Sequence, residues 1–180
     1  VDRPWWATAA ELDWPAMVVP AAHGGANDGT RGASDAAIVA RAHGRALAAG
    51  PFVCALVASA ALANGEDREL LEECLAGRHL SLWLPGDFVG TDEGDGRLRI
   101  SGRSRPVVQP ELADSFVVPV TSARHPGHLA EAIVPASEAR LLDAPGVDLT
   151  RRFGRVELEV VVHASQVMRD FAPDPEWYDA

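Results

Sequence analysis

The chain has 180 residues, of which 47% are apolar and 23% are charged, and its formal net charge is −10. The apolar share is sufficient for a packed core and excludes wholesale disorder. All 16 basic residues are scattered arginines, so the sequence has neither the basic face of a nucleic-acid binder nor a lysine for Schiff-base or P-loop chemistry. The longest apolar stretch, 51–63, is shorter than the roughly 18–20 residues that a membrane helix needs. We therefore expect a protein that binds neither nucleic acid nor membrane.

The chain begins at Val1 and shows no signal peptide, so we expect either a processed chain or an excerpt from a longer one. Cys54 and Cys74 fall in predicted helices among apolar neighbours, and their spacing is unlike that of a metal pair or a CxxC redox pair. Two buried, inert thiols suit a reducing compartment. The expected location is the cytoplasm.

Four helices are predicted in the first part of the chain. Pro4 suits a first helical position, and Ser34 is predicted as the N-cap of the second helix. Gly65 and Gly77 are typical residues at which helices end. The predicted helices cover roughly residues 4–13, 34–49, 51–64 and 66–76.

After Gly77 the apolar residues change from the helical period to the period of a strand. Leu80, Leu82 and Leu84 alternate with polar or aromatic residues, and the segment 155–163 shows the clearest alternation. Strands are predicted at about 80–84, 97–101, 105–108, 116–121, 129–134 and 155–163. Helices that precede strands, rather than alternate with them, predict an α+β fold.

The predicted architecture is an N-terminal helical domain (residues 1–78) followed by an antiparallel β-barrel or sandwich domain (residues 79–169). The acidic tail 170–180 contains two prolines and is predicted to be a linker.

Three segments invite a ligand-binding interpretation. The glycine-rich segment 24–29 lacks G-x-G-x-x-G spacing, so a connecting loop is favoured over a phosphate loop. The acids of 92–96 do not alternate as in a calcium loop, which favours a β-hairpin turn. His125 and His128 flank Pro126-Gly127 with no third ligand nearby, which favours a surface loop over a metal site. No metal ligand is predicted.

The segment 148–152 leaves two alternatives open. Arg151 and Arg152 could grip an anion with paired guanidinium groups, or Asp148 could form a turn with Thr150 while the arginines are solvated. No Ser-His-Asp, Cys-His or paired-carboxylate arrangement is identifiable by spacing.

Five segments resemble the acyl-CoA dehydrogenase family and occur in the family's order. Residues 6–25 are similar to LAELGWxxLxVPEExGG, and residues 37–51 are similar to ELGRALAPxP. Residues 70–79 resemble LLPxLAxGE, and residues 100–105 correspond to LxGxKxW. Residues 148–162 resemble DxTRxxxxVxFDxVxVP.

This resemblance implies an FAD-dependent enzyme that desaturates an acyl-CoA thioester between its α and β carbons. In the family, a carboxylate removes the α-proton and the flavin accepts a hydride from the β-carbon. The family's catalytic glutamate belongs to a C-terminal helical domain, of which 170–180 would be at most the start. We therefore predict no catalytic residue in this chain.

The resemblance also implies where a flavin would be contacted. The family's TEPxxGSD loop is not recognisable near Trp83 and Leu84, and its WITN segment aligns with 106–109, where Val107 and Val108 stand. A valine has no hydroxyl to donate, and Pro106 cannot stack as tryptophan does. The predicted cofactor-binding residues are Trp83, Leu84, Val107 and Val108, with the backbone amides of Leu84 and Val108 as donors.

This loss of the family's flavin-contacting residues resembles the non-catalytic subunit of heteromeric bacterial acyl-CoA dehydrogenases. Those enzymes are associated with steroid side-chain degradation. The expected function is a subunit or fragment of such an enzyme, with FAD shared with or held by a homologous partner subunit and an acyl-CoA as substrate. Two alternatives stay open: a non-enzymatic structural partner of the same fold, and a flavin-dependent relative with other oxidative chemistry.

Overall fold

The computed structural model describes residues 4–122, 129–146, 148 and 150–168. Its helices are α1 (Pro4–Glu11), α2 (Gly32–Arg45), α3 (Phe52–Asn64) and α4 (Arg68–Leu75). Its strands are β1 (Ser81–Trp83), β2 (Gly86–Gly94), β3 (Arg97–Ser104), β4 (Val107–Val108), β5 (Ser115–Ser122), β6 (Leu129–Pro135), β7 (Arg140–Asp143), β8 (Phe153–His163) and β9 (Val167–Met168). The helices precede the strands, which confirms the predicted α+β class.

α4 ends just before Gly77, as predicted, but it begins at Arg68 rather than at residue 66, and the predicted ends of α2 differ from the structure. The Asp67 carboxylate accepts a hydrogen bond from the Leu70 amide at 3.0 Å and so caps α4. The prediction that Ser34 caps α2 is wrong. Ser34 lies inside the first turn, where its hydroxyl donates to the carbonyl oxygen of Arg31 at 2.8 Å. α2 also ends at Arg45, before the predicted end at about residue 49.

The nine strands form one mixed, open sheet. The strand order is β4-β8-β3-β2-β5-β6-β9, with β1 also paired to β5 and β7 also paired to β8. Most neighbours are antiparallel, but β5 runs parallel to both β1 and β2. The sheet therefore differs from a closed antiparallel barrel in having parallel pairs and free edges.

Two pairs of strands are interrupted at nearly the same level of the sheet. β1 and β2 both pair with β5 and are separated by Leu84 and Pro85, while β3 and β4 both pair with β8 and are separated by Arg105 and Pro106. The pairing of β2 with β3 closes with the Arg105 amide donating to the Pro85 carbonyl at 2.7 Å. A proline nitrogen cannot donate to a ladder. Beyond this point β1 and β4 are not paired with each other among the described residues.

The main hydrophobic cluster joins helices to the sheet. Trp6 and Ala9 of α1 and Ala55 of α3 pack with the inward residues of the strands. The Trp6 indole N–H also donates to the carbonyl of His79 at 3.0 Å, at the junction of helices and sheet. The division into domains at residue 78 stays a prediction, because this cluster spans the proposed boundary.

A second hydrophobic cluster packs α3 and α4 on the opposite face of β5. It contains Leu62, Leu71, Cys74 and Val117, and the half-buried Trp83 packs against it. Each face of β5 is thus buried at this end, which explains why Phe116, Val117 and Val118 are successive buried residues.

An aromatic group holds the first three helices together. Trp5 and His43 meet at 5.9 Å between ring centroids, and His43 stacks on Phe52 at 5.5 Å. Burial lowers the pKa of His43, and the charge of Arg151 lowers it further. His43 therefore sits in this group as a neutral ring.

Some predicted features cannot be compared with the structure. The loop that carries His125 and His128 and the tail 170–180 lie outside the described residues. None of the four described helices is both long and apolar enough to span a bilayer.

Replacement of Phe116 by alanine tests the shared core. Phe116 is fully buried, so Phe116→Ala should lower the free energy of unfolding by about 3–5 kcal/mol in urea denaturation. Ile38 is 67% exposed on α2, so Ile38→Ala should change that free energy by no more than about 0.5 kcal/mol. Equal effects of the two substitutions would contradict the described core.

Candidate functional site

A cleft of about 300 Å³ opens beside the interruption of the strands. Its lining includes Trp83, Pro85, Val89, Arg105, Pro119 and Thr121. These residues come from both sides of the break and from β5, the strand that bridges β1 and β2. The break in the ladder is therefore what places these side chains around one space.

Strand alternation explains which residues reach the cleft. Phe88 and Val120 are buried in the main cluster, whereas Val89 and Thr121, which are paired across β2 and β5, are exposed. The Thr121 hydroxyl donates to the carbonyl of Phe88 at 3.0 Å and is thereby held against β2. Successive side chains of a strand point to opposite faces, so the cleft occupies the face opposite the main core.

The cleft combines apolar walls with two exposed charges. Pro85, Val89 and Pro119 supply apolar surface, while Arg105 and Asp87 also line the cleft. A guanidinium presents several donors and suits phosphate or carboxylate groups. The cleft therefore offers a ligand apolar surface together with one guanidinium and one carboxylate.

A buried carboxyl group lies behind the cleft. Glu131 of β6 is only 5% exposed, and its Oε1 accepts a hydrogen bond from the Trp83 indole N–H at 3.0 Å. Burial raises the pKa of Glu131, although the indole hydrogen bond opposes this effect. Sequence reasoning placed this residue in a strand but did not single it out. A carboxylate between Ala130 and Ala132 in an otherwise apolar strand was the available signal.

The structure places the four predicted cofactor residues on both sides of the break, with different surroundings. Trp83 lines the cleft, whereas Leu84 and Val107 are buried together in the main hydrophobic cluster. The Leu84 amide donates to the carbonyl of Val117 at 2.9 Å. That amide is therefore committed to the sheet and is not available to a flavin.

Val108 is different, because its amide faces the open edge. The Gln109 amide donates to the Arg152 carbonyl at 3.0 Å, and Val108 is paired with Phe153. Hydrogen-bonded and non-hydrogen-bonded pairs alternate in an antiparallel ladder, so Val108 occupies a non-hydrogen-bonded position. Its N–H points away from β8, toward the side on which β1 is unpaired.

These four residues do not form a self-sufficient flavin site. They offer one edge amide, while the Leu84 amide and the Trp83 indole N–H both have partners within the chain. Val107 and Val108 carry no hydroxyl group. Contact of this edge with a flavin held by another chain stays a prediction.

The structure also shows the conformation of two other segments that the sequence singled out, 148–152 and 92–96. Asp148 accepts hydrogen bonds from the Thr150 amide at 2.9 Å and the Thr150 hydroxyl at 2.5 Å, which confirms the turn alternative. Arg151 approaches Asp148 at 3.8 Å. The segment 92–96 belongs to a β-hairpin, as predicted, with Asp92 and Glu93 at the end of β2 and Asp95 in the turn to β3. Within the described part of the chain, no three potential metal ligands cluster.

The cysteines and a nearby serine-histidine pair are enclosed. Burial raises the pKa of both thiols, Cys54 and Cys74, to about 11, which agrees with inert thiols. His79 Nε2 lies 2.9 Å from the Ser115 hydroxyl, which is also 2.7 Å from the Ser81 hydroxyl. Both serines are buried, so a substrate cannot reach this pair as a nucleophile and base.

Comparison with known proteins identifies the fold. No family model and no curated protein matches the chain. Among solved structures, the ChsE4-ChsE5 complex from Mycobacterium tuberculosis matches with a TM-score of 0.71 and 24% identity, over 93% of this chain and 48% of that chain. A Tcur3481-Tcur3483 steroid ACAD variant matches with a TM-score of 0.72 and 20% identity, over 89% of this chain and 46% of that chain. PigA with FAD and proline matches with a TM-score of 0.74 and 14% identity, over 93% and 50%.

A probable acyl-CoA dehydrogenase from Mycobacterium abscessus also matches, with a TM-score of 0.69 and 17% identity. The chain has the acyl-CoA dehydrogenase fold. It spans about half the length of the structures that it matches. The fold predicted from the ordered motifs is thereby confirmed. The candidate site lies where the sheet is interrupted, near the residues where the TEPxxGSD loop was expected but is not recognisable, and beside the segment 106–109 that was aligned with WITN.

The buried Glu131 should make stability depend on pH. A raised pKa in the folded state means that the contribution of Glu131 to stability is present below the unfolded pKa, about 4.3, and is lost as the pH rises through the folded pKa. Glu131→Gln keeps an acceptor for the Trp83 N–H but carries no charge. Its urea midpoint should therefore exceed that of the wild type at about pH 8, and the difference should shrink toward about pH 4.

The exposed Glu138 supplies the matched control for this measurement. Glu138→Gln should leave the pH dependence of the urea midpoint as it is in the wild type. A difference between Glu131→Gln and wild type that does not change with pH would show that burial of Glu131 does not control its protonation.

Proposed function

We propose that this chain is a subunit or fragment of an FAD-dependent acyl-CoA dehydrogenase that desaturates an acyl-CoA thioester between its α and β carbons. In this proposal a homologous partner subunit holds or shares the FAD, and the catalytic base comes from outside the residues described. The observation that carries the proposal is the fold match, at about half length, to acyl-CoA dehydrogenases that include a two-component complex.

The geometry of the break supports a shared site rather than a complete one. Only the Val108 amide of the two predicted backbone donors points to the open edge, since the Leu84 amide is bound to Val117. The cofactor supplies the redox chemistry in enzymes of this kind. An isolated edge amide cannot orient a whole flavin, so in this proposal groups outside the described residues hold it, and we assign them to the partner subunit.

The cleft supports an acyl-CoA or a related thioester as the ligand. Arg105 would bind an anionic phosphate at the rim, and Trp83 and Pro119 would contact an apolar portion and exclude water from it. A steroid side-chain thioester or another lipid CoA ester is the proposed substrate class. Two similar structures are a steroid ACAD variant and the ChsE4-ChsE5 complex, which agrees with this choice. We place the assembly in the cytoplasm.

Two other functions follow from particular observations. The committed Leu84 amide and the valines of β4 favour a non-enzymatic structural partner subunit, because they remove contacts to a flavin. The similarity to PigA with FAD and proline favours a flavin-dependent relative with other oxidative chemistry. The same purified complex distinguishes all three functions.

The test is coexpression of the full chain with a dehydrogenase-like chain encoded beside it. The proposal expects a stable yellow complex that reduces an electron acceptor in the presence of an acyl-CoA. A stable, flavin-free pair would favour the structural partner. Oxidation with reduced flavin and oxygen, without acyl-CoA turnover, would favour the third function. A monomer that binds neither FAD nor acyl-CoA under any pairing would refute the proposal.

Arg105 gives the same experiment a residue-level measurement. Arg105→Ala should raise the KM for the acyl-CoA about tenfold, equivalent to about 1.4 kcal/mol, because a charge-assisted contact is lost. Arg97 is exposed at the opposite end of β3, so Arg97→Ala should leave the KM unchanged. An equal rise in both variants would indicate a general loss of positive charge rather than a contact in the cleft.

A further inference from the structure

Trp83 stands between the cleft and the second hydrophobic cluster. It lines the cleft beside Pro119, and it also packs against the cluster that contains Leu62 and Val117. The position of this one indole therefore decides how far the cleft extends toward α3. A flat, rigid side chain in such a place needs a fixed orientation to form a wall.

The strand register shows what fixes the indole. Trp83 is paired with Val117 across β1 and β5, whereas Glu131 is paired with Pro119 across β5 and β6. The indole N–H must therefore reach from the level of Val117 to the level of Pro119 to meet Glu131 Oε1 at 3.0 Å. This diagonal hydrogen bond holds the indole ring across β5, where it forms the inner wall of the cleft.

The residues paired with Glu131 in the sheet offer its carboxylate no charged partner that would compete with the Trp83 indole. Its register neighbours, Pro119 on β5 and Met168 on β9, carry no charge and do not titrate. Burial raises the pKa of Glu131 and the Trp83 indole lowers it, and no cation or second carboxylate among the described residues contributes to the shift. The indole is thus the group that stabilises the ionised carboxylate, and a hydrogen bond to an ionised acceptor is roughly twice as strong as a neutral one.

We propose that Glu131 is a positioning residue that holds the Trp83 indole as the inner wall of the cleft, and that protonation of its carboxyl group weakens this hold on the indole. The size of the apolar group that the cleft accepts then depends on pH. The inference deepens the proposed function and depends on it for the identity of the ligand, but the coupling between the two side chains can be measured without any ligand.

The first experiment follows indole N–H signals by ¹⁵N NMR on the full chain, from about pH 4 to about pH 9. Trp83→Phe identifies the Trp83 signal by its disappearance. In the wild type this signal should shift as Glu131 titrates, and its contacts to Pro119 should weaken toward low pH. In Glu131→Gln the signal should not shift with pH, while Glu138→Gln should behave as the wild type.

A Trp83 signal that ignores pH in the wild type would overturn the proposal. The same holds for a pH response that survives in Glu131→Gln, because another group would then control the indole. Both results are readable as long as the variants fold, and the glutamine keeps the acceptor that the fold requires.

The second experiment titrates hexanoyl-CoA into the flavin-bearing complex over the same pH range. The affinity should change with pH in the wild type and lose that dependence in Glu131→Gln. Indole coupling without hexanoyl-CoA binding at any pH would refute the proposed function and leave the positioning role of Glu131 supported. Binding whose pH dependence is the same in wild type and Glu131→Gln would refute the positioning role and leave the proposed function intact.

Discussion

The hydrogen-bonded ladder between β2 and β3 stops where Pro85 lies opposite Arg105, and the candidate site depends on that constraint. The Pro85 carbonyl accepts from the Arg105 amide, but the Pro85 nitrogen cannot donate in return, so the pairing of β2 with β3 closes at this bond. Beyond that bond β1 pairs with β5 and β4 pairs with β8, but β1 and β4 do not pair with each other among the described residues. The break leaves the Val108 amide at an open edge, and the cleft opens beside it.

This constraint also limits which groups of the described residues are open to a ligand in the proposed function. The Leu84 amide, directly after β1, is bound to the Val117 carbonyl, and the Trp83 indole N–H is bound to Glu131. What is left for a ligand is an edge, an apolar cleft and the guanidinium of Arg105. The chain spans about half the length of the structures that it matches.

Sequence patterns predicted two kinds of element: helices whose ends are marked by glycine, and strands with one buried apolar face and one exposed polar face. The alternation in 155–163 predicted the strand in which Val156, Leu158 and Val162 are buried, and Gly65 and Gly77 marked helix ends. β2 was missed because its glycines and acids have low strand propensity, and its conformation comes from pairing with β3 and β5. The Glu131 contact could not be predicted, since its partner lies 48 residues away.

The exchange of backbone amide hydrogens at Leu84 and Val108 tests the account most directly. The open edge predicts that, in the isolated chain, the Leu84 amide is protected by its bond to Val117 while the Val108 amide exchanges with solvent much faster. In the flavin-bearing complex, Val108 should become protected and Leu84 should remain so. Equal protection of the two amides in the isolated chain would show that the sheet is continuous across the break, and it would contradict the account.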